Sequence, residues 1–452
     1  MKSFFYRIKN KFIRIINTTK FDKLLLKVEK NKNIIEAEKL VNLYPDQPRA
    51  HFLLAEIMFR DKNENFTLQL ERYSKVRKEY LIKKNLDQLN IEFLRPDVFI
   101  GALGVYLHAW FLKNAMLAGL KKKKSFYCLI LDFKFTNKKF SKYFENDFVK
   151  FVYNHKEISK LIKIQKDLIY PVSFCLPFEN SCQFLTYSYN HIIRELKNKN
   201  KKPSYFSLSS KDNLKGKRIL SKLGIPENAW YVTCHIREPG WSGETQENSQ
   251  QMIRNSDPET YLEAFKFIVS KGGYVIRMGR NSLKKINNSK NIIDLTNRVN
   301  KSEFLDIFLG ASSKFSIVTS SGYSSIPISF GVPILHVNQM PTNEIFQCRD
   351  EDLYMPKILK KNNKTLSLAE TFIHEHTAIV DDVAAQEKGI EFINNSSKEI
   401  LEATMDMYNA VFENKSYIDQ NMDLKNKITK NFKKFNLECI TNFPPSFLNK
   451  YN

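Results

Sequence analysis

The sequence predicts an α/β protein in which two Rossmann-like domains face a cleft and a small helical region precedes them. Its 452 residues are too many for one typical domain. The second half of the chain alternates short apolar runs, typical of buried strands, with helical segments, an order that gives a parallel sheet with helices on both faces. Basic, hydroxyl and glycine residues follow several of those runs, and a parallel sheet gathers such residues at its carboxyl edge.

Changes of pattern divide the chain into four segments. We predict a helical region over residues 1–94, a first Rossmann-like domain over 95–215, a second over 216–410 and a helical tail over 411–452. Polar and charged stretches at 198–202 and 211–217 place the junction between the two domains.

Two features distinguish the N-terminal region. Residues 1–17 mix Phe and Ile with Lys and Arg, a pattern typical of an amphipathic basic helix that lies on an anionic membrane surface or packs on the rest of the protein. Residues 33–59 predict a pair of helices joined at Asp46-Gln47-Pro48 and resemble one tetratricopeptide unit. Because a stable array needs about three units, we expect a helical cap.

The first Rossmann-like domain is predicted to open with a strand at 98–100. A turn containing Gly101 and Gly104, a helix through residue 120 and a strand over 126–132 would follow. These glycines are candidate substrate-binding residues on the acceptor side. Alternatively, they only allow close packing of helix on strand.

The second domain shows the clearest alternation. Asp257 and Ser302 are well placed as N-caps, and Gly272 and Gly331 follow predicted helix ends. The predicted strands span 231–234, 274–277, 292–294, 315–319 and 333–337, and the predicted helices span 258–271, 302–311 and 323–330.

Polar residues follow the first of these strands. His235 and Arg237 are two positions apart, so their side chains project to the same side of the extended chain. An arginine fork can bind a phosphate through two hydrogen bonds, and a histidine can act as a base. Either residue could instead be an ordinary hydrogen-bonded residue at a strand end. Glu238 is a second candidate acid or base, or an ion-pair partner of Arg237.

Two later strands end in similar residues. Arg277 ends the second strand and Gly279 follows it, and the arginine is a candidate second cation for a diphosphate or a surface residue. The run Thr319-Ser320-Ser321-Gly322 lies between a strand and a helix, where hydroxyls and backbone N–H groups bind anions or only cap the helix.

Several classes of function are disfavoured. Six cysteines without metal-ligand spacing indicate reduced, mostly buried thiols. His374 and His376 have the wrong spacing for one helix face, and we expect surface or loop positions for them. We predict that arginines and a helix dipole neutralise the phosphates without metal or other cofactor.

The formal charge of 71 − 48 = +23 suggests an anionic partner or a compositional bias. The basic residues are spread along the chain without a nucleic-acid-binding motif, so we expect no specific nucleic acid. No apolar run is long enough for a membrane span and no secretory signal is evident. We expect a cytoplasmic protein, either free or attached peripherally to the inner face of the membrane.

A family resemblance rests on Cys234-His-Ile-Arg237-Glu-Pro-Gly240, Arg254-Asn-Ser-Asp257, Gly272-Gly-Tyr-Val-Ile-Arg277-Met-Gly279 and Thr319-Ser-Ser-Gly322. These motifs resemble a bacterial glycosyltransferase family of surface-polysaccharide loci, whose members have two Rossmann domains in the arrangement called GT-B. The H-x-R element is also similar to the one with which O-fucosyltransferases hold a GDP-sugar. Their further acidic residue is replaced here by Gly240.

The resemblance implies a glycosyltransferase, hexosyl- or deoxyhexosyl-type, that uses a nucleotide sugar and a glycan, lipid-linked or protein acceptor. His235 and Glu238 are then the candidate catalytic residues. The candidate substrate-binding residues are Arg237, Gly240, Arg277, Gly279, Thr319, Ser320, Ser321, Gly322, Gly101 and Gly104. A non-catalytic glycan- or protein-binding module and a nucleotide-sugar epimerase remain alternatives, and nothing in the sequence indicates the oligomeric state.

Overall fold

The computed structural model describes residues 19–61, 63, 65–122, 125–130, 134–145, 147–168, 175–177, 182–239, 252–280, 284–286, 289–296, 302–340 and 342–451. The basic helix predicted over 1–17 and the candidate Gly240 lie outside these ranges. The chain divides into two compact units: Met1–Ser188 with Arg194–Ser204, and Tyr189–Ile193 with Tyr205–Asn452.

Four helices open the described part of the first unit. Their N-caps fit the sequence, since the side chains of Thr19 and Asn33 accept hydrogen bonds from backbone N–H groups of the first turns. Buried leucines and alanines from the first three helices form one hydrophobic core. The predicted pair is confirmed as the second and third of these helices: α1 Lys20–Asn31, α2 Ile34–Leu43, α3 Pro48–Arg60 and α4 Phe66–Lys83.

The first unit also contains a three-stranded parallel sheet in the order β1-β2-β3, with β1 Ile91–Phe93, β2 Ser125–Leu129 and β3 Val149–Val152. A short antiparallel pair follows, β4 Cys175–Pro177 and β5 Cys182–Phe184. The accompanying helices are α5 Asp97–Ile100, α6 Leu107–Leu117, α7 Lys138–Glu145 and α8 His155–Leu168. The residues of α9 Leu185–Asn198 are divided between the two units.

The strand predicted at 98–100 is wrong, because these residues form the short helix α5. Pro96 has φ −58° and ψ −30°, which starts a helical turn. Val98, Phe99 and Ile100 are all buried, so their continuous apolar run fits a buried helix as well as a buried strand. Gly101 therefore follows a helix, and the first strand of the sheet lies earlier in the chain.

The second unit contains a six-stranded sheet that is parallel throughout, in the order β8-β7-β6-β9-β10-β11. Numbered from its first strand, this is the 3-2-1-4-5-6 order of a dinucleotide-binding domain. The strands are β6 Tyr231–His235, β7 Tyr274–Met278, β8 Ile292–Asp294, β9 Ser316–Val318, β10 Ile334–Gln339 and β11 Leu353–Pro356. The five predicted strands are confirmed, and so is the α/β class.

Helix α10 Ser210–Lys222 precedes this sheet, and α11 Leu262–Ser270, α12 Glu303–Ser312 and α13 Ser325–Ser329 connect strands within it. The predicted caps are confirmed: Asp257 accepts from the N–H of Glu259 and Ser302 from that of Leu305. Gly272 and Gly331 have φ of +82° and +75°, a conformation that favours glycine after a helix.

The rest of the second unit surrounds this sheet. An antiparallel sheet contains β12 Ile358–Lys361, β13 Lys364–Thr365 and β14 Ile390–Ile393. Helices α14 Leu368–Thr371, α15 His374–Thr377, α16 Asp382–Glu387, α17 Ser397–Phe412, α18 Met422–Asn431 and α19 Pro445–Tyr451 complete it. Glu399 of α17 accepts hydrogen bonds from Lys450 and Tyr451, which attaches the C-terminal helix.

Two expectations from composition can be checked on the described residues. Cys128, Cys234, Cys348 and Cys439 are free and buried, as predicted for reduced thiols. Within the described ranges, no helix is both long and apolar enough to cross a membrane.

Candidate functional site

The six-stranded sheet changes direction between β6 and β9. From β6 the chain continues to β7 and β8 on one side, and it then returns to β9 on the other side of β6. The loops that leave β6 and β9 therefore diverge. In open parallel sheets, ligands bind outside the carboxyl ends of the strands at this kind of switch point.

Thr319 joins the ends of these two strands. Its backbone N–H donates to the carbonyl of His235 at 3.1 Å, and its hydroxyl accepts from the backbone N–H of Arg237 at 2.8 Å. Thr319 is fully buried. The structure thus brings three predicted site residues together, and it uses the Thr319 hydroxyl to fix the loop that carries Arg237.

The guanidinium of Arg237 is held by a neutral amide. Its Nε donates to Oδ1 of Asn255 at 3.2 Å, and its carbonyl accepts from the N–H of Ser256 at 3.0 Å. Arg237 is half-buried, so part of the residue is in contact with solvent at the edge of the sheet. A guanidinium oriented in this way can bind an anion with little further ordering.

His235 lies against an aromatic ring that the sequence analysis did not single out. Its imidazole stacks on Tyr323, with ring centroids 5.2 Å apart and 13° between the planes. Gly279 lies on another side: a Cβ built there would be 4.0 Å from Nε2 of His235. Gly279 also has φ +133°, a region that essentially only glycine adopts, so the end of β7 can approach the imidazole.

Arg277 lies in a different environment from Arg237. Its side chain is fully buried and forms ion pairs with Glu238 and, at 2.9 Å, with Asp294. It also donates to the carbonyl of Lys284 at 2.7 Å. The loops that follow β6 and β7 and the end of β8 are therefore tied together by one buried cation.

The two carboxylates around Arg277 are held from other sides as well. Glu238 accepts from the backbone N–H of Lys284 at 3.3 Å. Burial opposes ionisation of Asp294, but hydrogen bonds from the side chain and backbone of Thr296 and the backbone of Ile286, together with the Arg277 guanidinium, hold its pKa below the usual value. Both oxygens of Glu238 accept hydrogen bonds, which makes it a less suitable base than the sequence suggested.

The hydroxyls after Thr319 also have bonding partners. Ser320 donates to the side chain of Gln339 at 2.9 Å and accepts from the N–H of Met340 at 2.9 Å. Ser321 accepts from the N–H of Tyr323 at 3.2 Å, and a 3₁₀ turn over Gly322–Ser324 precedes α13. Ser320 thus connects β9 to β10, and Ser321 caps the turn, the alternative left open by the sequence.

The remaining predicted residues lie elsewhere. Gly101 and Gly104 belong to the first unit, Gly101 at the end of α5 and Gly104 in a 3₁₀ turn over Leu103–Tyr106. His376 was expected at a surface or loop position, and this is wrong: it lies in helix α15, is 5% exposed, and its Nδ1 bonds the carbonyl of Glu370 at 2.8 Å. Among the residues described, no group of three His, Cys, Asp or Glu could hold a metal ion.

A segment that contributed only to the family resemblance reaches the site. Residues 252–254 form a 3₁₀ turn, and the carboxylate of Asp382 accepts from the N–H groups of Met252 and Ile253 at 2.6 and 3.0 Å. Nη2 of Arg254 donates to the carbonyl of Ser320 at 3.0 Å. The segment therefore brings a second, half-buried guanidinium to the end of β9.

Two buried side chains hold the same segment from below. Nζ of Lys357 donates to the carbonyl of Asn255 at 2.7 Å, and burial lowers the pKa of this lysine to about 8 although Asp382 opposes the shift. The amide of Asn338 donates to the hydroxyl of Ser256 at 2.8 Å. Asp382, Lys357 and Asn338 are 82 to 130 residues away from this segment along the chain. The sequence near the segment therefore offered only the polar run 254–257 as a sign that it belongs to the site.

No protein-family model matches the chain, and no curated protein matches it. Solved structures do resemble it. They include a family 9 glycosyl transferase from Veillonella parvula at 13% identity, covering 54% of this chain and 79% of that one with a TM-score of 0.34. The iron-containing dodecameric glycosyltransferase TibC of enterotoxigenic E. coli, at 12% identity, has coverages of 54% and 57% and a TM-score of 0.30.

E. coli heptosyltransferase WaaC, crystallised with ADP, is 10% identical over 55% of this chain and 89% of that one, with a TM-score of 0.27. The alignments with TibC and with heptosyltransferase II of E. coli span 57% and 65% of those chains. These TM-scores are too low to indicate a function for this chain.

Proposed function

We propose that this protein is a glycosyltransferase that moves a sugar from a nucleotide-sugar donor to a glycan, lipid-linked or protein acceptor. The observation that carries the proposal is the position of Arg237. It follows the central strand of a parallel sheet at the switch point, and both its backbone and its guanidinium are fixed, by Thr319 and Asn255. A preoriented arginine at this point of the sheet suits a diphosphate.

The reaction requires two kinds of group. The bond between the anomeric carbon and the diphosphate breaks while a bond to the acceptor oxygen forms, so negative charge grows on the leaving diphosphate and the acceptor loses a proton. Arg237 would stabilise the leaving charge, together with N–H groups near Ser321 and Gly322. His235 would take the proton, because its stack on Tyr323 orients the ring.

Arg277 receives a different role from the phosphate contact that the sequence suggested. Since two carboxylates hold its guanidinium, we assign it to positioning the loops after β6 and β7 and the end of β8. Glu238 remains a candidate catalytic residue, ranked below His235 because Arg277 and Lys284 engage its oxygens.

The other elements of the proposal concern partners. We assign the acceptor to the first unit, where Gly101 and Gly104 are the candidate contacts, and propose that no metal is needed because arginines supply the positive charge. Residues 1–17 would attach the protein peripherally to an anionic membrane on its cytoplasmic side. Deleting them should reduce binding to anionic liposomes at low salt without reducing catalysis.

The first test is a thermal-shift screen with UDP, GDP, CDP and ADP. A nucleotide present at about 100 times its Kd should stabilise the folded protein by about 2.7 kcal/mol. The matching nucleotide sugar should then release its nucleoside diphosphate only when an acceptor is present. A sugar that is converted without an acceptor would instead identify an epimerase.

The site is tested with variants of Arg237. Arg237→Ala should weaken binding of the selected nucleotide about 10- to 100-fold, the effect of losing hydrogen bonds to a charged group, and Arg237→Lys should restore only part of it because the fork is lost. Arg218→Ala, which removes an exposed arginine of α10, is the control. The proposal fails if no nucleotide stabilises the wild type, or if Arg237→Ala binds as the wild type does.

A further inference from the structure

Arg254 approaches the same strand end as Arg237, from a separate part of the chain. Arg237 is tied to Thr319 through the hydroxyl of that residue, and Arg254 is tied to the carbonyl of the next residue, Ser320. The residue beside Arg254, Asn255, holds the guanidinium of Arg237. Both arginines are half-buried, so two cations converge on the loop that leaves β9.

The segment that carries Arg254 is held by hydrogen bonds from buried or distant side chains. Asp382 fixes the N–H groups of Met252 and Ile253. Lys357, 2% exposed, donates to the carbonyl of Asn255. Burying an ammonium costs free energy unless it is well paired, so this bond is part of a built support. A rigid support lowers the entropy that an arginine side chain loses when it binds a ligand.

The geometry points to Arg254 as the second arginine that contacts the donor's diphosphate. This inference rests on the proposed function and replaces Arg277 in the role that the sequence suggested. Arg237 and Arg254 are half-buried and therefore partly open to solvent, whereas Arg277 is fully buried and two carboxylates hold its guanidinium. A diphosphate has two phosphates at adjoining positions, and two guanidiniums at adjoining loop positions match it.

One nearby charge works against this pair. The carboxyl of Glu344 lies close enough to Arg254 for the guanidinium to lower its pKa, although burial raises that pKa overall. A like charge near a bound phosphate lowers the affinity for it, so the contribution of Arg254 should fall short of that of Arg237.

The experiment compares phosphorylated and unphosphorylated ligands. For the nucleotide selected by the thermal-shift screen, calorimetric titration would measure the Kd of the diphosphate and of its parent nucleoside for wild type, Arg254→Ala, Arg254→Lys and the surface control Arg218→Ala. We expect Arg254→Ala to weaken diphosphate binding about 5- to 50-fold with nucleoside binding unchanged, Arg254→Lys to recover part of it, and the control to match the wild type.

The outcomes separate the two proposals. If wild type binds no nucleotide, the proposed function fails and this inference with it. If wild type and Arg254→Ala bind the diphosphate equally, only this inference fails. It also fails if diphosphate and nucleoside weaken by the same factor, since that is the result of a purely structural bond to Ser320. Should Arg254→Ala not fold, the same comparison in Arg254→Lys decides, because the loss must again be confined to the phosphorylated ligand.

Discussion

Replacing Arg277 by methionine should destabilise the second unit strongly. The guanidinium is fully buried, and the side chains of Glu238 and Asp294 that it pairs with are only 9% and 8% exposed. At about 4 Å and an effective dielectric constant of about 20, each pair is worth about 4 kcal/mol before the cost of desolvation. Removing one partner of a buried pair typically costs about 3 to 5 kcal/mol, because uncompensated charge stays behind. We expect a loss in that range at pH 7.

The loss should shrink as the pH falls. In the wild type the lowered pKa of Asp294 means that its stabilising effect is complete above about pH 4 and disappears as the pH falls through its folded-state pKa. Without Arg277 that pKa rises, and protonation removes the uncompensated charge at a higher pH than in the wild type. The difference in unfolding free energy between wild type and variant should therefore be smaller at pH 5 than at pH 7.

Urea denaturation of the full chain at both pH values measures these differences, and hydrogen exchange of peptides from β6 and β7 locates them. Arg280→Met is the matched control. Arg280 is 62% exposed and 3.9 Å from Asp306, so its loss should change the free energy by no more than about 0.5 kcal/mol. A loss below about 1 kcal/mol for Arg277→Met at pH 7, or one that does not shrink at pH 5, would refute the reasoning about the buried cation.

Two further changes test the packing and electrostatics around the sheet. Gly216→Ala should destabilise the protein by about 1 to 3 kcal/mol in urea denaturation, because the new Cβ would overlap the ring of Phe308. This loss is expected although alanine favours helices. Lys217→Ala on the same helix is the control and should be near neutral, and a Gly216→Ala variant more stable than the wild type would contradict the packing. Lys357→Gln tests the pKa of Lys357, which is lowered to about 8 from the usual 10.5. Between these values the folded state binds fewer protons than the unfolded state. The unfolding free energy of the wild type minus that of the variant should therefore rise with pH from about 8 to about 10. A flat difference would show that burial does not lower the pKa of Lys357.

The elements of the second unit could be predicted because their signals are local. Apolar runs bounded by glycine, and caps such as Asp257 and Ser302, are visible within a few residues of the chain. The strand predicted at 98–100 failed for the same reason. A fully buried apolar run has no alternation, and only its packing decides between helix and strand.

The environment of the site residues could not be predicted, because it depends on distant partners. Arg237 and Arg277 look alike in sequence, since each follows an apolar run that forms a strand. Their difference lies in Glu238 and Asp294, which are 39 and 17 residues from Arg277 along the chain. Similarly, the importance of Arg254 becomes visible only when the fold brings it to Ser320.

Burial should separate the effects of the arginines into two classes. A buried cation between two carboxylates contributes to the folded state whether or not a ligand is present, so Arg277→Met should lower stability and leave the affinity of the molecules that remain folded much less affected. Arg237 and Arg254 are only half-buried, so solvent can stabilise their charges when no ligand is present. Their loss should lower affinity and leave the unfolding free energy of the ligand-free protein within about 1 kcal/mol of wild type. Both quantities can be measured on the same three variants: stability without ligand, and affinity for the nucleoside diphosphate. The results test whether Arg277 holds the loops at the carboxyl edge of this sheet while Arg237 and Arg254 bind the ligand.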